Sequence, residues 1–459
     1  MTTQPAALPE ATDLKPILFE STQFTRFERT EAERTATTSA VLITTSEPEP
    51  RSFGKQVVIG GLLDHLCARL GPDNVHVVLL GKHRPRPVTA YRLHLIAAPR
   101  PVEQVRSVAR RVPLPPYASL QEAALWSRRI QRELQRLLAE IGADLEIWDT
   151  MRTGQYAATL PRQRRVLYAD DLFSKRYATM LERLREDPAD LANPLGEFAT
   201  MLPSIASRIA ARPWICRRLL GFEQRRSRCS EDRSPAQFDA TILVNPRETK
   251  ELRERTGNST VHTLLPLLPE VRQRSRHYDG SATFVFVGGL NFPPNRDGLT
   301  WFLRTCREPV LTAMPDFRLL LVGRGTDVPL PEAEPWGDHV RPLGWVDDLD
   351  EVLMSAAGML SPLRIGSGIK IKVLEALARG LPVIATPHGV LGLDVDADDG
   401  CLIADDPADL ARCLAAATDP VRNGELSRAA AQCWHRSYAP AVAGTAYDRL
   451  LRLPERLRP

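Results

Sequence analysis

Short, continuous apolar runs alternate along the chain with longer stretches in which apolar residues recur every three or four positions. Such runs have the length of buried strands, and the periodic stretches are typical of amphipathic helices. Strands that alternate with helices favour parallel α/β sheets over an all-α or all-β fold. The runs that predict strands are 40–44, 75–80, 145–148, 165–168 and 239–244 in the first half, and 283–287, 318–322, 358–363, 382–386 and 401–404 in the second half.

Helical periodicity fills the gaps between these runs. One helix is predicted from about Val58 to Leu70, before Gly71, and one long amphipathic helix is predicted over 118–141. In the second half, helices are predicted at about 297–307, 349–356, 370–379 and 407–417, followed by a last helical stretch at about 425–452. The order of the elements therefore predicts two doubly wound α/β units.

This order divides the chain into four segments. Residues 1–39 are polar and lack clear periodicity, so we expect a flexible N-terminal extension. We assign the first α/β domain to residues 40–270 and the second to residues 271–424, because each range holds one alternating series of strands and helices. Residues 425–459 carry a last helix beyond the second series.

The composition excludes several classes of protein. With 459 residues, 43% of them hydrophobic, the chain can form large cores, and its scattered prolines exclude a collagen-like or wholly disordered chain. The seven cysteines form no CxxC pair, as expected for reduced thiols rather than a disulfide framework or a zinc site. The amino terminus lacks a signal-peptide pattern and no apolar run has membrane-spanning length, so we expect a cytosolic protein.

Charge is spread unevenly, although the net charge is only +4. Residues 281–430 contain 13 basic and 21 acidic residues, so the rest of the chain carries the positive excess and is expected to meet an anionic partner. The densest part, Arg208–Arg228, interleaves arginines with Trp214 and aliphatic residues, which is typical of a helix that binds an anionic membrane surface. A solvated arginine face on an inward-packed helix is the alternative. Aromatic residues are too few to favour nucleic acid.

Lysine is rare, and its placement indicates a site. Only seven of the 60 basic residues are lysines, and two of them lie in the segment Gly366–Lys372, within the acidic part of the chain. There a predicted strand ends, a glycine-rich turn follows and a helix begins, which allows backbone N–H groups to face an anion. Together with Arg364 and Lys370, this predicts a pyrophosphate–sugar cradle rather than a glycine turn with solvated lysines. Lys372 points away from Lys370 on a helix, so a plain surface position is its alternative.

Acidic residues follow two predicted strands of the first domain. Asp149 ends one strand, and Asp170 and Asp171 follow the next. Because ligands of parallel α/β sheets bind beyond the carboxyl ends of the strands, these side chains are candidates for orienting an acceptor hydroxyl. Capping of a loop or helix is the alternative for each. The acids at 347–350 are expected to be solvated, so no metal site and no cofactor are predicted.

The segment from Gly366 to Thr386 resembles the G-x-G-x-K-x-K-x-L-E-A-x-A-x-G-x-P-V pattern of family 4 glycosyltransferases. The segments 286–302, 320–323 and 344–349 resemble further blocks of that family, in the same order. The resemblance is thinner in the first half, where it rests on residues 53–55 and 168–172. It implies the GT-B architecture, in which two Rossmann-like domains face a cleft and the last helix crosses back to the first domain.

The resemblance also implies roles on the donor side. Arg364 and Lys370 would neutralise the leaving diphosphate, and Glu375, the second glutamate of the family's E-x7-E motif, would bind the nucleotide ribose. Ser367 stands where that motif has its first glutamate, so the donor sugar needs another partner. Backbone N–H groups of Gly366, Ser367 and Gly368 are the candidates for it.

Further donor contacts are implied outside the glycine-rich segment. Gly54 would let the N-terminus of the first-domain helix face the diphosphate, with Lys55 beside it. Val346 would contact the base through its backbone. Asp149, Asp170 and Asp171 remain the candidates on the acceptor side.

The implied function is a retaining, metal-independent transfer of a hexosyl or related sugar. The donor would be a nucleotide sugar, and the acceptor a lipid-linked or polysaccharide intermediate at the inner face of the membrane, which the basic first half suits. Two alternatives remain open: a nucleotide-sugar 2-epimerase of the GT-B type, and a catalytically silent GT-B binding subunit.

Overall fold

A computed structural model of the chain describes residues 36–51, 54–81, 90–113, 118–157, 163–186, 212–268 and 276–454. The first domain is built on seven parallel strands, which are β1 (Ala40–Thr44), β2 (Val75–Gly81), β3 (Arg92–Ala97), β4 (Leu145–Asp149), β5 (Arg164–Asp170), β6 (Ala240–Leu243) and β7 (Val261–Thr263). Their order in the sheet is β3-β2-β1-β4-β5-β6-β7. The helices that connect them are α1 (Gly54–Leu70), α2 (Pro101–Arg111), α3 (Leu120–Leu125), α4 (Arg128–Ile141), α5 (Thr150–Gly154), α6 (Phe173–Glu186), α7 (Pro213–Arg233) and α8 (Pro246–Thr256).

The second domain repeats this plan with six parallel strands, which are β8 (Thr283–Val287), β9 (Arg318–Val322), β10 (Val340–Gly344), β11 (Gly358–Ser361), β12 (Val383–Ala385) and β13 (Cys401–Ile403). Their order is β10-β9-β8-β11-β12-β13. The helices are α9 (Pro293–Thr305), α10 (Arg307–Ala313), α11 (Asp350–Leu353), α12 (Ile371–Ala378), α13 (Pro407–Thr418), α14 (Pro420–Cys433) and α15 (Pro440–Leu451). In both sheets the strand order reverses beside the first strand, which is where ligands bind in doubly wound folds.

The central strand of the first sheet shows why the chain folds into layers. All five residues of β1 are buried, because helices cover both faces of the sheet. Ala40 and Leu42 pack in the cluster that contains α1, whereas Val41 and Ile43 pack in the cluster that contains α4. Successive side chains of a strand point to opposite faces, so one short apolar run supplies both cores.

The last helix, α15, packs against the first domain. Its Tyr447 lies in the same apolar cluster as α1, with its hydroxyl oxygen 3.4 Å from that of Tyr168. Nε2 of His65, which lies on the predicted apolar stripe of α1, is 2.7 Å from Oδ1 of Asp448. Arg69 Nε donates to the same carboxylate oxygen at 2.9 Å. The helix α15 therefore packs against the first domain although it follows the second domain in the sequence.

The single helix predicted over 118–141 is two helices in the structure, α3 and α4. Tyr156 separates them, because its hydroxyl accepts the Ser127 N–H at 2.9 Å and donates to the Leu125 carbonyl at 2.7 Å. Ser127 then caps α4 by accepting the Arg129 N–H at 3.1 Å. A side chain that is distant in sequence thus replaces hydrogen bonds of a continuous helix, which periodicity alone does not reveal.

Candidate active site

The glycine loop, residues 362–370 between β11 and α12, is shaped by two left-handed glycines. Gly366 has a φ of 114° and Gly368 a φ of 68°, values that residues with a Cβ rarely adopt. A Cβ at Gly368 would lie 3.2 Å from Cβ of Asp171, which belongs to the first domain. The loop therefore passes close to the first domain and leads the N-terminus of α12 to the boundary between the domains.

Two buried amines flank this N-terminus. Lys370 is 7% exposed, and its Nζ donates to the Ser367 carbonyl at 3.0 Å. Burial lowers its pKa to about 8, although Asp171 and Glu248 raise it. No carboxylate lies within 4 Å of this amine among the residues that the structure describes. Lys370 is thus a buried cation without an ion-pair partner.

Lys372 is also partly buried rather than a plain surface residue. Its Nζ donates to Oδ1 of Asn295 at 2.8 Å and lies 4.7 Å from the centre of the Phe286 ring. Burial, with a smaller contribution from the charge of Lys370, lowers its pKa to about 7. In the described chain it has no ion-pair partner either. Two neighbouring amines without an ion-pair partner in the described chain are candidates for binding an anion.

Arg364, by contrast, is ion-paired. Its Nη2 donates to Oδ1 of Asp297 at 2.9 Å, and the guanidinium lies 5.5 Å from the centre of the Trp301 ring. Asp297 is 1% exposed and also accepts from Nε of Arg183, on α6 of the first domain, at 3.2 Å. One buried carboxylate therefore orients Arg364 and links it to the first domain.

Lys55 is paired with two of the acids assigned to the acceptor side. Its Nζ is 2.6 Å from Oδ1 of Asp149 and 3.1 Å from Oδ2 of Asp170. Thr44 donates to the other oxygen of Asp149 at 2.7 Å. Burial lowers the pKa of Lys55, but the two carboxylates outweigh burial and hold it above its ordinary value. The structure thus joins residues that the sequence placed on opposite sides of the cleft.

Backbone strain marks the same edge of the first sheet. Thr150 has a φ of 63° and Asp170 a φ of 71°. Thr150 directly follows β4, and Asp170 is the last residue of the neighbouring strand β5. A β-branched residue such as Thr150 rarely adopts this conformation, and such strain is concentrated at functional sites. Burial raises the pKa of Asp170; Lys55 opposes the rise, and the carboxylates of Asp171 and Asp149 add to it.

Asp171 lies next in the chain after Asp170 and accepts a hydrogen bond from the second domain. It accepts from Nη2 of Arg176 at 2.8 Å and from the hydroxyl of Ser367. Burial raises its pKa, but the Arg176 guanidinium and the Ser367 hydroxyl together hold the pKa of Asp171 below its usual range. Ser367, the departure from the family motif, is therefore a hydrogen-bond donor to a first-domain carboxylate.

The other predicted donor residues are spread along the boundary and the second domain. Gly54 begins α1, and a Cβ there would lie 3.5 Å from Cγ1 of Ile371, the first residue of α12. Glu375, one turn into α12, and Val346, after β10, are both half-buried. Burial raises the pKa of Glu375, and Arg379 opposes the rise. In the part of the chain that the structure describes, no hydrogen bond joins the Glu375 carboxylate to the glycine loop.

Glu248, on α8, is a residue at this boundary that the sequence analysis missed. It is 1% exposed, and it accepts the N–H groups of Gly368 at 2.9 Å and of Leu172 at 2.7 Å. The spacing from Asn245 to Glu248 is that of a capping box, and Asn245 does cap α8 by accepting the Arg247 N–H. The carboxylate of Glu248 instead reaches the other domain, which no local pattern predicts.

The basic stretch is described only in part, because Arg208 and the following residues up to 211 lie outside the described residues. Beyond them, the exposed positions of α7 recur at helical spacing and include Trp214, Arg218, Arg225 and Arg228. Trp214 is 61% exposed. The opposite side of α7 packs against α6.

Comparison with known proteins identifies part of this architecture. Residues 281–419, from just before β8 to the end of α13, match a family described as glycosyl transferases group 1. These residues of the second domain thus resemble a glycosyltransferase domain. A curated relative, described as an uncharacterized 44.6 kDa protein in the cps region of Klebsiella pneumoniae, is 28% identical over 129 residues, which are 27% of this chain and 33% of that protein. The chain thus spans about a third of the length of the curated relative it matches.

Solved structures resemble the second domain and the first domain together. Sucrose-phosphate synthase from Thermosynechococcus elongatus is 15% identical with a TM-score of 0.57, and the likeness covers 90% of this chain and 98% of that one. WaaG, a glycosyltransferase involved in lipopolysaccharide biosynthesis, is 16% identical with a TM-score of 0.53, covering 90% and 99%. Anabaena HepE in complex with UDP is 10% identical with a TM-score of 0.53, covering 90% and 99%.

At these identities the solved structures show the fold. The two parallel sheets with flanking helices are the two-domain α/β architecture of the GT-B fold, which confirms the fold predicted from the sequence. Within the described chain, no helix is both long enough and apolar enough to cross a membrane.

Proposed function

We propose that this protein is a retaining glycosyltransferase of family 4, which transfers a hexosyl or related sugar from a nucleotide-sugar donor to a lipid-linked or polysaccharide acceptor. The family match of the second domain supports the reaction class, and the structural relative HepE is described in complexes with UDP and with UDP-glucose. The observation that carries the proposal is that the buried amine of Lys370 and the partly buried amine of Lys372, beside the N-terminus of α12, have no ion-pair partner in the described chain. An anionic diphosphate would supply the negative charge that these two amines do not receive from an ion-pair partner in the described chain.

Fixed cations suit the chemistry at the leaving group. As the bond between sugar and diphosphate breaks, negative charge develops on the diphosphate, and preorganised positive groups stabilise that charge. Lys370 supplies such a group, and Arg364 supplies a second that Asp297 orients. We therefore propose that the reaction needs no metal ion and no cofactor, because side chains provide the positive charge.

The remaining contacts to the donor would come from one residue in α12 and one residue after β10. Glu375 would accept hydrogen bonds from the ribose hydroxyls, and Val346 would contact the base through its backbone. Both lie on the second domain, as does the glycine loop that would face the diphosphate and the sugar. The first domain would add the N-terminus of α1 at Gly54.

The acceptor would meet the carboxyl edge of the first sheet. Asp149 and Asp170 lie there beside Lys55, and the strained backbone at Asp170 aims its carboxylate at that amine. A carboxylate with a raised pKa, as at Asp170, is a suitable partner for an acceptor hydroxyl that must lose a proton.

A transfer assay with matched variants tests the proposal. Purified protein is incubated with a panel of nucleotide sugars and an extract of lipid-linked acceptors, and the anomeric configuration of the product is determined by NMR. We expect product with the configuration of the donor from the wild type and from Lys250→Ala, a control on the exposed side of α8, but not from Lys370→Ala. An inverted product would contradict retention, and full activity of Lys370→Ala would contradict the assigned site.

The same assay separates the alternatives. An epimerised free sugar formed without acceptor would indicate a 2-epimerase of the GT-B type. Binding of a nucleotide sugar without transfer, hydrolysis or epimerisation would indicate a silent binding subunit.

We also propose that the protein works at the inner, cytoplasmic face of the membrane. Basic and apolar side chains are exposed together on two first-domain helices: Trp214 and Arg218 on α7, and Val105, which is 70% exposed, beside Arg106 on α2. Helices with this mixture bind anionic lipid surfaces. Flotation with liposomes should show binding that requires anionic lipid and weakens in Val105→Glu, and binding that ignores lipid charge would contradict the proposal.

A further inference from the structure

A buried carboxylate of the first domain holds the backbone of the glycine loop in the second. Oε1 of Glu248 accepts the Gly368 N–H at 2.9 Å, and Oε2 accepts the Leu172 N–H at 2.7 Å. Asn245 also donates to Oε1, at 3.2 Å. With 1% of the residue exposed, no space is left for a ligand between this carboxylate and the loop. Glu248 therefore belongs to the frame of the loop and does not touch its ligand side.

Other first-domain side chains contact the same loop on either side of Gly368. Thr179, on α6, accepts the Gly366 N–H at 3.4 Å, and Asp171 accepts the Ser367 hydroxyl. Both glycines have a positive φ, a conformation that an isolated chain does not hold by itself. First-domain side chains thus accept hydrogen bonds from three consecutive residues of the loop, Gly366, Ser367 and Gly368, in addition to the hydrogen bonds that the loop forms within its own domain.

The charges around Glu248 come from three elements. Asp171, with its partner Arg176, faces it from the turn after β5 and from α6, and Lys370 faces it from the glycine loop. Burial and the charge of Asp171 raise the pKa of Glu248 to about 7, although the two backbone N–H groups and Lys370 lower it. In its charged form, each carboxylate oxygen accepts one of the two N–H groups. The neutral form loses part of this capacity, since one oxygen then carries a proton.

We propose that Glu248 is a positioning residue that completes the donor loop from the opposite domain, so that the loop takes its binding shape only while it is joined to the turn at Asp171 and Leu172. Because this turn contains Asp171 and directly follows Asp170, two of the acids assigned to the acceptor, the contact couples the two halves of the site. The proposal rests on the proposed function for the nature of the ligand, but the coupling of the two backbone segments is independent of it.

Hydrogen exchange of the ligand-free, full-length protein tests the coupling. In Glu248→Gln the amide oxygen can accept only one of the two N–H groups, and in Glu248→Ala neither is accepted. We expect the amides of segments 366–370 and 170–174 to exchange about tenfold faster in Glu248→Ala, as for the loss of one hydrogen bond each. Glu254→Gln, at an exposed ion pair of the same helix, is the matched control and should exchange like the wild type.

Exchange that stays unchanged in both segments, or that accelerates throughout α8, would overturn the proposal, because the first excludes the coupling and the second shows a general loss of structure. Faster exchange confined to the two segments supports it.

Ligand binding provides the functional test. Isothermal titration with UDP, GDP and ADP identifies the nucleoside diphosphate that the wild type binds, and the Kd of Glu248→Gln is then measured across pH 6 to pH 8. We expect roughly tenfold weaker binding by the variant at pH 8, and a decrease in affinity below pH 7 in the wild type that the variant lacks. A Kd that is unchanged or lower in Glu248→Gln would overturn the proposal. If the wild type binds none of the three, the proposed function fails, while the exchange experiment still decides whether Glu248 couples the two segments.

Discussion

Lys55 of the first domain and Lys370 of the second lie at the N-termini of helices that meet at the boundary between the domains, yet their surroundings are opposite. Lys55 contacts the carboxylates of Asp149 and Asp170, and they hold its pKa above the ordinary value. Lys370 contacts a backbone carbonyl, and burial lowers its pKa to about 8. One cation is already neutralised by the protein, and the other is not.

Because their surroundings differ, we expect the two lysines to have different roles. A buried charge is costly unless it is paired, so an unpaired buried amine is stable in its charged form only when a ligand brings the opposite charge. Lys370, with Lys372 beside it, is therefore the centre of the proposed anion site. Lys55 instead holds the two acids at the edge of the first sheet in place. Both lysines lie at the N-terminus of a helix, so the difference in role comes from the carboxylates beside Lys55.

The largest effect is expected from removing the unpaired charge. Lys370→Ala should lower kcat/KM for sugar transfer by ~10²-fold or more, as for the loss of one group that stabilises charge in the transition state. Lys370→Arg keeps the charge but should also lose activity, because the site leaves only 7% of the lysine exposed and a guanidinium has a different shape. Steady-state kinetics with Lys250→Ala as the control measure both changes, and a Lys370→Arg enzyme with full activity would show that charge alone is required.

A smaller loss of activity is expected at Arg364, because its charge is partly neutralised by the carboxylate of Asp297. Arg364 shares the buried carboxylate of Asp297 with Arg183, so less of its charge is available to a ligand. Arg364→Ala should lower kcat/KM roughly tenfold, less than the loss at Lys370. The same kinetic assay compares the two variants, and a larger loss at Arg364 than at Lys370 would reverse the proposed ranking.

The smallest effect on donor binding is expected at the paired lysine. Lys55→Met should change the Kd for a nucleoside diphosphate by less than about threefold, but it leaves Asp149 and Asp170 without their partner and should lower the free energy of unfolding by about 3 kcal/mol. Urea denaturation measures the second quantity. Adding Asp149→Asn should restore part of the stability, because it removes one uncompensated carboxylate. A Lys55→Met protein that is as stable as the wild type and binds the ligand tenfold more weakly would contradict the different roles assigned to Lys55 and Lys370.

The sequence predicts the central strands of both sheets but misses three of the four edge strands that the structure describes. The ranges 40–44, 283–287 and 318–322 coincide with β1, β8 and β9, because buried central strands are continuous apolar runs. The edge strand β13 lies within the predicted run 401–404, but the edge strands β3, β7 and β10 are not predicted. Their burial is partial, and β10 contains Pro342, which is tolerated at an edge but argues against a central strand.

The site is predictable as far as its residues are local in sequence. The glycine loop, Lys370 and the N-terminus of α12 lie within one short segment, so their spacing carries the information. The pairing of Lys55 with Asp149 and Asp170 and the reach of Glu248 across the boundary join residues far apart in the chain. Lys372 shows the same limit, since its partial burial comes from Asn295 and Phe286 on other elements.

The amines of Lys370 and Lys372 form the centre of the proposed anion site. Their pKa values of about 8 and about 7 mean that at pH 8 Lys370 is about half deprotonated and Lys372 is largely deprotonated, and a bound diphosphate raises these values. Binding must then be accompanied by the uptake of protons from the solvent. The affinity for the diphosphate should therefore decrease roughly tenfold for each pH unit above 8 if one proton is taken up.

Titration calorimetry with UDP, or with whichever nucleoside diphosphate the wild type binds, at pH 8 in buffers of different ionisation enthalpy measures these protons directly. We predict the uptake of about one proton per ligand by the wild type, a smaller uptake by Lys372→Met, and the wild-type value for Lys55→Met. Binding to the wild type with no proton uptake, or with proton release, would contradict the account.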